Sequence, residues 1–108
     1  DNSNERRRRK NLLVNHCVYI MNSRGQIKFG ITSNIDQRLQ SIKSGNPNVK
    51  LIYSSDKMNK NQALELERDL FIHFTDYRIS GEWFDLTNKQ VEIAKLFIKS
   101  KINKNEIN

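Results

Sequence analysis

Glu67 stands where its chemistry does not suit the pattern around it. At about 100° per residue along a helix, Ala63, Leu64, Leu66, Leu70, Phe71 and Phe74 spread over one broad apolar arc, and Glu67 falls inside it. Glu65 and Asp69 lie on the opposite, solvated side. A carboxylate within a core-facing stripe costs several kcal/mol unless a positive charge compensates it. That charge is either a basic side chain, with Arg38 and Arg78 as candidates, or a metal ion. Three further residues are of types that can act on a phosphate ester beside such an acid. Tyr19 carries a phenol, Lys28 an ammonium, and Arg38 a planar guanidinium fork that matches phosphate oxygens. Hydrolysing a phosphodiester needs an activated water, neutralised charge at the nonbridging oxygens and help for the leaving oxygen. These four residue types can divide that work.

The elements that must position them are legible in the spacing. Cys17 to Met21 is short, β-branched and aromatic, and Gln26 to Thr32 alternates Ile27, Phe29 and Ile31 with Lys28, Gly30 and Thr32, so both are predicted strands. Asn22-Ser23-Arg24-Gly25 between them supplies turn residues ending in glycine, which predicts an antiparallel hairpin. A loop of two or four residues puts Tyr19 facing Lys28 on one side of the sheet, whereas a three-residue loop would break that pairing. Ser33 and Asn34 are N-cap residues with Asp36 and Gln37 three positions after each. Ile35, Leu39 and Ile42 then form a helical stripe that Gly45-Asn46-Pro47 stops, giving a helix over about 34–44 with Arg38 at the edge of the stripe. Val49 to Ser54 reads as a third strand, and about Asn59 to Phe74 as the helix bearing Glu67. Thr87-x-x-Gln90 is a capping box that opens a third helix, with Val91, Ala94, Phe97 and Ile98 available for the core. The expected class is α/β of the α+β kind: a small, three-stranded, mainly antiparallel sheet with a β-hairpin, flanked by about three helices.

Bulk composition bounds what such a unit can do. The chain has 108 residues, 36% of them hydrophobic and 29% charged, enough for one core and one domain. A net charge of +7 favours polyanionic partners, nucleic acid ahead of anionic membrane. The single cysteine, Cys17, offers neither an internal disulfide nor a CxxC metal site and reads as a small apolar strand residue in a reducing compartment. No apolar run approaches the roughly 18 residues of a membrane span, and Leu12-Leu13-Val14 is too short for a signal-peptide core. The expected location is therefore intracellular, cytoplasmic or nucleoid-associated. Residues 1–11, with the run Arg6-Arg7-Arg8-Arg9-Lys10, are expected to be a basic flexible tail or linker. Residues 12–99 are the expected folded domain, and 100–108 a flexible C-terminal tail. The chain begins at Asp1 rather than Met, which suggests a domain excised from a larger protein.

Several fragments, in order and well spaced, resemble the GIY-YIG nuclease superfamily. They are Cys17-Val18-Tyr19, then Lys28-Phe29-Gly30 after the hairpin, and Gly30-Ile31-Thr32-Ser33-Asn34-Ile35-x-x-Arg38. Ala63-Leu64-x-Leu66-Glu67-x-x-Leu70 is similar to the helix on which that family carries its metal-binding glutamate. Phe74-x-x-Tyr77-Arg78 and Gly81-Glu82-Trp83-Phe84 resemble the closing segment of a branch common in phage and bacterial proteins, a branch that often has lysine where others have the second signature tyrosine. Together the fragments cover about 17–86.

The resemblance implies a divalent-metal-dependent endonuclease that hydrolyses DNA phosphodiester bonds as the cleavage module of a larger protein. It implies that Glu67 holds one Mg²⁺ (or Mn²⁺), a hard cation suited to a carboxylate, waters and phosphate oxygens. Tyr19 would take the proton from the attacking water, which needs a nearby positive charge to lower a phenol pKa near 10. Lys28 is expected to be that charge, and Arg38 to stabilise the transition state. Arg38, Lys43, Lys50 and Arg78 are expected contacts to nucleic acid, with Lys57 and Lys60 as further candidates. His16, placed before the strand, and His73 are expected to have ordinary surface or packing roles. Trp83 and Phe84 are expected to close the core. The expected partner is DNA, double-stranded, with RNA left open and oligomeric state unassigned. A catalytically inactive nucleic-acid-binding module of the same fold and a ribonuclease are the alternatives.

Overall fold

The computed structural model describes residues 13–107, with side chains through residue 102. The basic stretch at 1–11 lies outside the described residues. The chain opens with strands β1 (Val14–Ser23) and β2 (Gln26–Thr32). Arg24 and Gly25 form a two-residue turn between them, both at positive φ (53° and 88°). Positive φ at both central residues gives a turn whose twist matches the flanking strands, and Gly25 adopts it without steric cost. The Asn22 side chain reinforces the turn by accepting from the Gly25 N–H at 3.0 Å.

Helix α1 (Ile35–Gly45) follows, with the Asn34 side chain accepting from the Gln37 N–H at its start. Strand β3 (Lys50–Ser54) and the two-residue β4 (Met58–Asn59) lead into α2 (Lys60–His73). Asn59 and Gln62 close α2's first turn as a reciprocal capping box, at 2.8 and 3.1 Å. A single 3₁₀ turn (Thr75–Tyr77), β5 (Arg78–Ser80) and β6 (Trp83–Phe84) come next, and α3 (Asn88–Ile107) ends the described chain. The Thr87 and Gln90 pair caps α3 as its spacing predicts.

The α+β class matches expectation, but the strand number does not. The sheet has six strands, every pair antiparallel, in the order β3-β1-β2-β6-β5, with β4 pairing separately to β1. The three unforeseen strands are two or three residues long, too short to display a period of two. The C-terminal limit also moves, since α3 runs on past residue 99 and Ile102 is buried in the core.

Two apolar clusters lie on opposite faces of the sheet. The larger joins Val18, Ile20, Ile27 and Phe29 of β1 and β2 to Ala63, Leu66, Leu70 and Phe74 around α2, and to Val91, Ala94, Ile98 and Ile102 of α3. Phe29 is its aromatic centre, stacked on Phe74 and tilted against Phe84. Leu64, assigned to α2's apolar arc, is instead exposed, because the helix meets the sheet over a narrower stripe than the wheel allows. The smaller cluster, Tyr19, Met21 and Val49, is covered by Ile35, Leu39 and Ile42 of α1 together with Leu51 and Trp83. The β1–β2 pair is thus clamped between α1 and the α2–α3 pair, and residues of both faces converge where the sheet narrows at β6.

Candidate active site

The strands set the site's register. Each β1–β2 pair sums to 49, so Tyr19 lies opposite Gly30 and Lys28 opposite Met21. Cross-strand partners share a face and so do residues two apart. Tyr19 and Lys28 therefore lie on the same side of the sheet, as expected, but diagonally rather than directly opposite. The difference comes from the turn. Asn22 and Ser23 remain in β1, which leaves a two-residue loop, and direct opposition needs one of four. Gly30 beneath Tyr19 has a clear physical reason, since a Cβ there would overlap the tyrosine ring and hydroxyl. The ring lies flat across bare backbone, only 2% exposed.

Lys28 does not serve Tyr19 in the way the sequence suggests. Its ammonium bonds the carboxylate of Glu82 and lies 5.7 Å from the centroid of Trp83, its partner across the β2–β6 ladder. The Tyr19 phenol is not made acidic. Burial pushes it up to about 12, and the guanidinium of Arg38 opposes that rise while the carboxylates of Glu82 and Glu67 reinforce it. The positive charge that favours the phenolate is therefore Arg38, reaching in from exposed α1, and not Lys28.

Glu67 is half-buried on α2, a milder position than the fully buried acid that its stripe implied. Burial raises its pKa, the neighbouring Glu82 raises it further, and Lys28 pulls it down. Among the described residues Glu67 forms no ion pair, so neither Arg38 nor Arg78 is the counterion that the sequence left open. Arg78 is engaged in its own hairpin, with Nε donating to the Gly81 carbonyl at 2.6 Å and the guanidinium 5.6 Å from the Phe71 ring centroid.

Tyr19, Lys28, Arg38 and Glu67 thus belong to one electrostatic neighbourhood, joined by Glu82. That acid is the member that sequence reasoning missed, although its Gly81-Glu82-Trp83-Phe84 segment was in view. Its signal is position: it immediately precedes the residue paired with Lys28. Lys43, in the last turn of α1, and Lys50, at the start of β3, are exposed and hold no ion pair among the described residues. Phe84 is fully buried in the larger core and Trp83 half-buried against the smaller one, as a core-closing role requires.

The remaining candidates take ordinary places. His16 is within β1, not before it, paired with Met58 of β4, and burial and then Lys60 lower its pKa. His73 ends α2 and packs edge-on against Phe74 and parallel to Phe97. Cys17 is buried, with its thiol pushed up by that burial.

Among the described residues, no group of three or more His, Cys, Asp or Glu side chains could cage a metal ion. The donor set at the site is Glu67 with Glu82 beside it. That set suits a hard cation that keeps most of its waters and takes its other oxygens from substrate, the coordination habit of Mg²⁺. No described helix is long and apolar enough to cross a membrane.

Residues 16–99 match the family model of the T5orf172 domain. No curated protein sequence and no solved structure matches the chain. Every site residue named above falls within the matched span.

Proposed function

Because the chain belongs to the T5orf172 domain family, a domain of phage and bacterial nuclease-like proteins related to GIY-YIG-type endonucleases, we propose that it is a divalent-metal-dependent endonuclease acting on DNA. The observation that carries this reading is the joint influence of Arg38, Glu67 and Glu82 on the one buried phenol, Tyr19. A phenol, a guanidinium and a half-buried acid without an ion-pair partner are the parts that phosphodiester hydrolysis needs.

In this reading Tyr19 accepts the proton of the attacking water, and its buried ring, flat on Gly30, fixes where the oxygen points. Arg38 favours the phenolate and offers its fork to the scissile phosphate, so one guanidinium assists base and transition state alike. Glu67 would hold a Mg²⁺ or Mn²⁺ ion, whose chemistry is to neutralise the nonbridging oxygens. Lys28 supplies a further cation at the same face. Exposed Lys43 and Lys50 grip backbone phosphates without reading sequence. Arg78 contributes to that grip only if it leaves the Gly81 carbonyl.

The test incubates the purified domain with supercoiled plasmid and Mg²⁺ or Mn²⁺, beside EDTA and Glu67→Ala controls. Metal-dependent nicking that the variant loses is the expected result. Retention of DNA without nicking under any metal would overturn it in favour of a binding module. That second reading has its own observation: a phenol at about 12 is almost wholly protonated at neutral pH. Parallel incubation with a structured RNA decides between nucleic acids, since no contact among the described residues distinguishes a 2′-hydroxyl.

A further inference from the structure

Glu82 has no role in the chemistry outlined above, yet it makes the closest polar contact in the site. Its carboxylate bonds the Lys28 ammonium, and the lysine side chain is only 14% exposed against 49% for the glutamate. Lys28 is thus drawn inward against the Trp83 ring while Glu82 remains reachable from solvent. The β2–β6 ladder sets Trp83 opposite Lys28, so the contact is built into the strand register and does not depend on a loop conformation.

We propose that Glu82 is a positioning residue: it holds the Lys28 ammonium over Trp83, away from Tyr19, until a backbone phosphate displaces the carboxylate. This rests on the nucleic-acid-cutting reading of the site and adds to it a competition. In the free protein the lysine's charge is matched by Glu82, and on the DNA it is matched by phosphate. Two consequences follow. Lys28 contributes less to DNA affinity than an unpaired lysine would, because one ion pair must be exchanged for another. Its ammonium also enters the site only with substrate, so the charge arrives together with the phosphate it serves.

The experiment is a double-mutant cycle with Glu82→Gln and Lys28→Met, read first by binding of a short fluorescent DNA duplex and second by plasmid nicking. Glu82→Gln should tighten duplex binding about two- to fivefold, the range for losing one exposed ion-pair competitor. It should also steepen the log–log salt dependence by about 0.9, one added phosphate contact. In the Lys28→Met background both changes should vanish. Nicking should show the same nonadditivity, with the double variant no slower than Lys28→Met alone. Glu82→Asp, which keeps the charge on a shorter stem, should fall between wild type and Glu82→Gln, and thermal melts of each variant establish that it folds. If Glu82→Gln tightens binding equally with and without Lys28, the carboxylate simply repels DNA and the proposal fails. Absence of nicking from every variant, wild type included, would sink the nuclease reading, while the binding cycle would still decide the positioning role.

Discussion

A phenol held at about 12 by burial makes a specific demand on the reaction at the level of single residues. If the phenolate of Tyr19 is the base, its population grows about tenfold for each pH unit below that value. Nicking should therefore climb through the neutral and mildly alkaline range without a plateau, as measured by single-turnover rates at saturating metal. Arg38→Ala removes the charge that opposes the rise, so its profile should shift to still higher pH in addition to losing at least about a hundredfold in rate. Tyr19→Phe should lose as much at every pH, and wild-type rates from that variant would end the general-base assignment. The sequence brought Tyr19, Arg38 and Glu67 into view through residue type and spacing. It misassigned the partner of Lys28 because a pairing made through β6 depends on a two-residue strand that leaves no pattern.

At the scale of elements, the β1–β2 hairpin does most of the positioning. Its Arg24-Gly25 turn fixes the register, the register puts Tyr19 over Gly30, and only a residue without a Cβ leaves room for the ring. Gly30→Ala should force the ring to shift, costing about 1–3 kcal/mol in thermal or denaturant unfolding. It should abolish nicking even where the variant is folded, because the hydroxyl loses its place. A fold as stable as wild type with full activity would refute that account of the glycine. Caps and turns were readable in advance because their signals are local: Asn34, the Asn59–Gln62 pair and the Thr87–Gln90 pair all cap where their spacing predicts. Exact cross-strand opposition was not, since loops of two and four residues leave the same alternation on each strand and differ only in which residues meet.

The whole molecule is a sheet with unequal cores, and α3 ties the larger one shut. Ile102 reaches that core beyond the limit set by sequence, where the Asn- and Lys-rich composition after residue 99 hid a continuing helix. Ile102→Ala should destabilise the domain by about 2 kcal/mol or more in chemical denaturation while leaving DNA affinity unchanged. Truncation after residue 99 should do the same. If neither change moves the unfolding midpoint, the last turns of α3 are not part of the folding unit. The smaller core has no such redundancy. It consists of three buried residues under a helix with no fully buried position, so α1, the bearer of Arg38, is the element most easily displaced from the sheet.

Trp83 is the chain's sole tryptophan, and a lysine ammonium sits within 6 Å of its ring. An indole's emission responds to nearby charge, so the protein carries an intrinsic optical gauge at the one spot where incoming DNA and a resident carboxylate contend. Titrating unlabelled duplex into wild type should change that emission in step with binding, and the Lys28→Met variant should bind with a much smaller optical response. The strand pairing that buried this side chain for packing has thereby left its active centre observable without any added dye.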